Sequence, residues 1–414
     1  MVDPRENELR RALSLPLIIL YGVGTTVGAG IYVLVGEVAA VAGTMAPFSF
    51  LVAAVLAGLS AFSFAELCRR YPQSAGEAKY VQVAFRRTSL STAVGLLVVA
   101  AGVISAATVI RGALGYLGEF VDLPPIPTLL ALTALLGLVA AWGILEAVGI
   151  AALLTLVELG GLALVIWVGA PALTSLPEAL PSMTPDWQAA SIVTVIAGGV
   201  VAFFAFIGFE DMVNVAEEVK DASRNLPIAI VITLVVTTVL YILVTAIAVL
   251  VVPLGELAGS DAPLARVLAN GFSGAPQIIS AISLVAVANG ALIQMIMASR
   301  ILYGLSRSGQ LPKVFAMVNR HTRTPLFATA AVVSVVALLA IALPLLSLAK
   351  AASIAILIVF ATVNLALLVI KRRERGEDHA GFSVPFVVPL FGFVASTAIV
   401  FFEATRWVMA LVAA

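Results

Sequence analysis

The stretch YGVGTTVGAGIYVLVG, residues 21–36, decides the fold. It lies inside a long apolar run, yet Gly22, Gly24, Gly28 and Gly30 fall within nine residues, and Thr25-Thr26-Val27 between them is β-branched. Glycine costs a helix interior about 1 kcal/mol relative to alanine, and β-branching adds a few tenths. Glycines on one face would mark close packing of helices. These lie on several faces, so the pattern favours a break in the helix over a packing stripe.

A second weak point follows in GGVVAFFAFIGFEDMVNVAEEVKD, residues 198–221. The run Phe203 to Gly208 precedes two carboxylates, Glu210 and Asp211. Carboxylates deep in a span are costly unless they face water or a partner. They either cap a half-helix Met212–Val219, whose positive N-terminal end favours acids, or serve ion coupling. A break frees N–H groups on one side and C=O groups on the other. A half-helix starting at Ile31 aims its N–H groups, around Gly28–Gly30, at a carboxylate. One ending near Ile207 aims C=O groups at an ammonium. A zwitterion satisfies both, and two broken helices five spans apart are the mark of an inverted repeat of five plus five helices.

The rest of the chain supports this reading. Of 414 residues, 62% are hydrophobic and 11% charged, against roughly 45–50% and 25% in soluble domains. Apolar runs long enough to span a bilayer recur throughout, and alternating strands of a β-barrel are absent. The fold class is all-α, a polytopic membrane protein with about eleven spans. Span 1 covers Leu13–Val41, span 2 Met45–Leu67, span 3 Ser89–Phe120, span 4 Ile126–Leu145, span 5 Val148–Ala170 and span 6 Ala189–Val215. Span 7 covers Pro227–Val252, span 8 Gln277–Gly304, span 9 Pro325–Leu343, span 10 Leu346–Ile370 and span 11 Pro385–Phe402. The remainder, ATRWVMALVAA, either extends span 11 or begins a twelfth.

The chain divides into a cytosolic tail (1–12), a first five-helix repeat (13–170), an extracellular loop (171–188), a second repeat (189–370), a basic cytosolic loop (371–384) and span 11 with the C-terminal end (385–414). Lys and Arg gather at the N-terminus, after span 2, and at the later even-numbered exits, ending in KRRERGED at Lys371. The opposite loops carry mainly acids. The N-terminus is therefore expected in the cytosol and the protein in the plasma (inner) membrane. The start MVDPRENELRRALSLPL contains acids and no small-residue cleavage site, and reads as a tail rather than a signal peptide.

At these same residues the sequence resembles the amino acid–polyamine–organocation superfamily, especially its cationic-amino-acid-transporter-like bacterial members. The matching stretches are GVGTTVGAGIYVLVG, FSFAELCRRYPQSAGEAKY, FFAFIGFEDMVNVAEEVKDASRNLPIAI and ASRILYGLSRSGQLP. The resemblance implies the LeuT-like five-plus-five transporter fold with alternating access. It implies that Thr26, Gly28, Ala29 and Gly30 hold a substrate carboxylate while Phe204, Ala205 and Ile207 hold the amine, with Thr25 and Phe206 in the same two stretches. Phe204 matches the family's aromatic gate. The loop after span 2 departs from the family pattern, reading Ala75-Gly76-Glu77-Ala78-Lys79-Tyr80. In span 5, LLTLVELGGLAL, Glu158 falls where proton-coupled relatives carry lysine. A glutamate there is expected either to bind Na⁺ with the backbone of Gly24 and Val27, to take up a proton itself, or to be a structural carboxyl bonded to span 1 or span 8.

Other polar residues in the spans have plainer alternatives. Asn289 and Gln294 contact an ion or substrate, or bond between helices. Arg111 snorkels toward the interface near Glu119, or meets substrate. Glu66 beside Arg69 and Arg70 forms a solvated ion pair or a gate element. The expected function is secondary active transport of amino acids, coupled to H⁺ or Na⁺, with no cofactor. The alternatives are a polyamine or organocation carrier or exchanger, and a non-transporting sensor or subunit. Zero net charge gives no case for nucleic acid, no obligate protein partner is evident, and the single Cys68 excludes an internal disulfide. No P-loop, metal-ligand spacing or triad marks an enzyme.

Overall fold

Gly28 breaks the first span. In the computed structural model its φ and ψ of −33° and −155° separate helix α1 (Leu15–Val27) from α2 (Ala29–Ala42). The structure describes residues 13–72, 76–142, 147–269, 271–319, 322, 324–374 and 382–413, so the tail 1–12 lies outside the described residues. A 3₁₀ turn over Gly43–Met45 leads into α3 (Ala46–Arg70), which is span 2. A short helix α4 (Gly76–Phe85) follows, then α5 (Thr88–Gly118), α6 (Pro125–Trp142) and α7 (Ala147–Gly169), which are spans 3 to 5.

The loop between spans 5 and 6 holds α8 (Leu176–Met183), and span 6 begins as α9 (Ala189–Phe203). Spans 7 and 8 are α10 (Ala222–Val251) and α13 (Ala275–Arg307), joined through two short helices, α11 (Leu254–Ala258) and α12 (Pro263–Val267). Spans 9 to 11 are α14 (Leu326–Ala342), α15 (Leu345–Arg373) and α16 (Val387–Ala413). Nine apolar helical stretches reach spanning length among the described residues; the first, Leu15–Arg70, contains two crossings, and Leu326–Ala342 adds a shorter one. Eleven crossings result. The final residues extend span 11 as one helix through Ala413.

The breaks differ in detail from the sequence expectation. The half-helix after the first break starts at Ala29, not Ile31. In span 6, α9 stops at Phe203, and one 3₁₀ turn (Phe204–Phe206) precedes the break at Ile207 and Gly208. The second half runs Phe209–Glu218, longer than the expected Met212–Val219, and it winds as a 3₁₀ helix. Gly208 adopts φ +129°, a conformation that L side chains rarely take. Among the described residues there is no strand, only an isolated parallel bridge between Leu13 and Val219. It joins the entry of α1 to the end of the second half of span 6 through Leu13 N–H to Glu218 O (3.0 Å) and Lys220 N–H to Leu13 O (2.9 Å).

Helices of four pairs of spans five apart lie against one another: α2 on α9, α3 on α10, α5 on α13 and α6 on α14. Lipid supplies no hydrophobic drive between helices, so close approach depends on small residues. A glycine marks each of these pairs. Gly198 meets Ala42, Gly58 meets Leu234, Gly102 meets Gln294 and Gly137 meets Val333. Polar groups add a second layer of specificity. Asn364 on α15 donates to Ser60 (2.9 Å) and accepts from Ser63 (2.6 Å) on α3. At the basic end of the bundle, buried Glu66 accepts from Arg70, Lys371 and the Val384 N–H. Glu66 is fully buried, so the expected solvated pair is instead an interior network. Arg111 does not reach Glu119; it donates to the Ala340 carbonyl near the end of α14 at 2.7 Å.

Candidate functional site

The two breaks meet at the centre of the bundle, backbone against backbone. A Cβ on Gly30 would lie 2.8 Å from Ala205 Cα, and one on Gly208 would lie 2.3 Å from the Thr25 carbonyl oxygen. Only glycine permits either approach. The end of α1 is closed by its own hydroxyls: Thr26 Oγ1 donates to Gly22 O at 2.8 Å, and Thr25 Oγ1 lies 3.0 Å from both Gly22 O and Gly208 O. Beyond the break, the first N–H groups of α2 have no helical acceptor, and the positive end of the half-helix points into the gap.

Between the breaks lies a small cavity, with about 40 Å³ of room for the centres of water-sized molecules. Thr25, Thr26, Gly28, Ala29, Gly30, Phe204, Ala205 and Ile207 all line it. Phe206 does not. It turns away and packs edge-on against Tyr241 with ring centres 5.1 Å apart. The opposite wall comes from α5 and α13, through Ser105, Val109, Gly290, Ile293 and Gln294. Among the described residues no charged side chain lines it. Ser105 Oγ is buried and has no hydrogen-bond partner among the described residues.

Two residues that the sequence reading missed hold this arrangement. Tyr241 on α10 puts its hydroxyl 2.7 Å from Thr26 O and 2.8 Å from Ala205 O, linking both breaks. Ser105 supplies a free hydroxyl on the far wall. Neither has a local signature: each is one of several hydroxyl-bearing residues in an apolar helix. Their shared signal is polarity at mid-span, where a hydroxyl requires a partner. Gln294 was legible on that ground. It bridges cavity and second break, with Nε2 donating to Asp211 Oδ2 at 3.2 Å.

The candidate coupling residues fall outside the cavity lining. Glu210 Oε2 accepts the Gly208 N–H at 2.8 Å, so its carboxylate folds back to cap the second half of span 6. Glu158 is fully buried on α7; Oε1 accepts from Asn289 Nδ2 on α13 at 3.1 Å, and Oε2 has no partner among the described residues. The Tyr32 hydroxyl donates to the Glu158 carbonyl, and the Tyr116 hydroxyl to the Tyr32 carbonyl. Gly24 meets α7 through Thr155, whose Oγ1 is 1.9 Å from where a Cβ on Gly24 would stand. Val27 is fully buried. Span 5 thus faces Gly24 with a hydroxyl, and Glu158 lies about one turn further along, level with Tyr32.

Residues 13–410 match the amino acid permease family. The chain is 28% identical to the mitochondrial cationic amino acid transporter 3 of Arabidopsis thaliana, over 95% of this chain and 70% of that protein. It is 30% identical to the vacuolar cationic amino acid transporter 2 of the same plant, over 88% of this chain and 60% of that protein. It is 28% identical to the branched-chain amino acid permease BcaP of Bacillus subtilis (strain 168), over 89% of this chain and 83% of that protein. The chain therefore spans about two thirds of the length of the plant relatives and most of the bacterial one.

Proposed function

The chain belongs to the amino acid permease family, a family of carriers rather than enzymes, and on that footing we propose that it is a secondary active transporter of amino acids working by alternating access. The observation that carries this reading is the cavity between the two broken spans. Peptide N–H groups at the start of α2 meet the substrate carboxylate, and peptide carbonyls beside Phe204–Ile207 meet the ammonium. Phe204 covers the cavity as a gate. No lining residue carries a charge, so the zwitterion is held by dipoles that need no counter-ion.

The lining also bears on the side chain. A lysine or arginine side chain would bring a cation into a wall of Ser105, Val109, Ile293 and Gln294, with no carboxylate on it. A buried charge without a partner is costly. The reading is therefore a neutral amino acid of modest size. The nearest acids do not serve a cation: Glu210 is turned to Gly208, and Asp211 stands behind Gln294. This weighs against a polyamine or organocation carrier.

Coupling to H⁺ or Na⁺ is assigned to Glu158, whose Oε2 is buried and unpartnered among the described residues, with Asn289 as its fixed partner. The excess of Lys and Arg on one set of loops supports a cytosolic N-terminus in the plasma membrane. The test is uptake into proteoliposomes, screening labelled neutral and cationic amino acids and a polyamine, with and without Na⁺ and a pH gradient. Saturable uptake of a neutral amino acid is expected. Movement of a polyamine alone would overturn the reading.

A further inference from the structure

A second cavity opens on the side of the bundle, away from the broken spans. It lies between the first turns of α10, the last turn of α3 and the segment entering α16. It offers about 580 Å³ of room for the centres of water-sized molecules. Arg69 and Arg224 form its mouth, and Ile228, Val231, Ile232 and Phe382 form its walls. The two arginines stand at the same end of the bundle as Arg70, Lys371 and Glu66.

The charge balance at that end is uneven. Arg70 and Lys371 are satisfied by Glu66, and Arg70 also by Glu374. Among the described residues Arg69 makes one hydrogen bond, from Nη1 to the Phe382 carbonyl at 3.2 Å. Among the described residues neither Arg69 nor Arg224 has a carboxylate within ion-pair distance. Below the arginines the wall is apolar, and it continues as a stripe on the exposed face of α10: Ile228, Ile232, Val235 and Val239 are 37%, 37%, 56% and 52% exposed. That spacing keeps all four on one side of the helix.

We propose that this groove binds an anionic phospholipid, with the phosphate between Arg69 and Arg224 and an acyl chain along Ile228, Val231 and Ile232. Guanidinium forks suit phosphate oxygens. Basic pockets between spanning helices at the headgroup level recognise anionic lipid heads. A free phosphate ion would fill only the mouth and leave the apolar wall empty, so the occupant is an amphiphile. A zwitterionic lipid brings its own cation to the arginines and is held less well.

The test uses the full chain purified in detergent, with retained lipid measured by native mass spectrometry after exposure to dioleoyl phosphatidylglycerol or dioleoyl phosphatidylcholine. Phosphatidylglycerol is expected to be retained at least about fivefold better, from roughly fivefold per arginine near an anionic head. Arg69→Gln with Arg224→Gln should abolish the preference, while the double Lys variant keeps most of it. Ile232→Trp, which fills the groove and leaves the arginines, should lower phosphatidylglycerol retention in a chain that still elutes as a single species. Glycerol 1-phosphate should not displace the lipid. Equal retention of both lipids, a preference surviving the double Gln variant, or displacement by glycerol 1-phosphate would each overturn the proposal. The readout is bound lipid, so it stands or falls separately from transport.

Discussion

The Tyr241 hydroxyl donates toward the Thr26 carbonyl across 2.7 Å, fixing α10 to the point where the first span gives way. The same hydroxyl is 2.8 Å from Ala205 O at the second break. One phenol thus sets the relative position of two half-helices, and the rings of Phe50 and Phe206 hold that phenol edge-on. Tyr241→Phe keeps the ring packing and removes the one hydroxyl proton that two buried carbonyls share. An unsatisfied buried group costs about 1–3 kcal/mol. Thermal unfolding in detergent should show that loss, and uptake should fall at least about tenfold through KM and rate together. Unchanged uptake would remove Tyr241 from the site.

Gly208→Ala tests the second break. The new Cβ meets the Thr25 carbonyl oxygen at 2.3 Å in a backbone with φ +129°. The variant should fail to assemble or lose transport outright. Gly160→Ala is the control: a Cβ there has nothing within 4 Å, and the better helix propensity should leave stability equal or raise it by up to about 1 kcal/mol. Expression and monodispersity report both outcomes.

Glu158→Gln keeps the bond with Asn289 and removes the charge or the titrating proton. Gradient-driven accumulation should collapse while exchange across equal concentrations persists. Uptake followed with and without Na⁺, and with and without a pH gradient, separates the two ions. Accumulation equal to wild type under every gradient would free Glu158 from coupling.

Stability should fall as pH rises through the acid range. Glu77, on α4 outside the spans, is pushed up to about 7 from its ordinary 4.5 by burial. The folded chain then holds this proton more tightly than the unfolded chain between those two values. Unfolding free energy declines across that window as pH rises, by roughly 3 kcal/mol at most. Glu77→Gln should flatten the decline and raise stability at pH 8 more than at pH 5, as read by thermal unfolding at the two pH values.

Glu66→Ala should be the most damaging change at the basic end. It leaves Arg70 with Glu374 alone and Lys371 without a carboxylate, and the two are only 10% and 12% exposed. Breaking such a buried network by removing one member costs about 3–5 kcal/mol. Circular dichroism melts of the purified chain test this.

The spans were legible because each is a continuous apolar run that must satisfy its own backbone. The breaks were legible because glycine and β-branched residues weaken a helix locally, as in Gly22–Gly30. What the sequence concealed was rotation. Nothing near Tyr241, Thr155 or Ser105 says which way each faces, since an apolar helix has almost no polar side to orient it. Phe206 and Phe204 look alike in the chain; packing against Tyr241 alone separates them. Glu210 carried two open readings, and its bond to Gly208 depends on a backbone turn that no side-chain pattern encodes. The helix α4 was passed over because its ten residues lie in a loop of mixed charge.

The contact of Gly30 with Ala205 has an evolutionary consequence. Where two main chains touch, the geometry is inherited as the absence of side chains at a few positions. The residues on α5 and α13 that look across at that crossing are free of this duty. If the cavity holds substrate as proposed, a lineage can exchange a serine or a valine there and change its cargo while the grip on the common part of every amino acid stays as it was. Relatives about 28% identical, named for cationic and for branched-chain amino acids, are the kind of divergence such a division of labour allows.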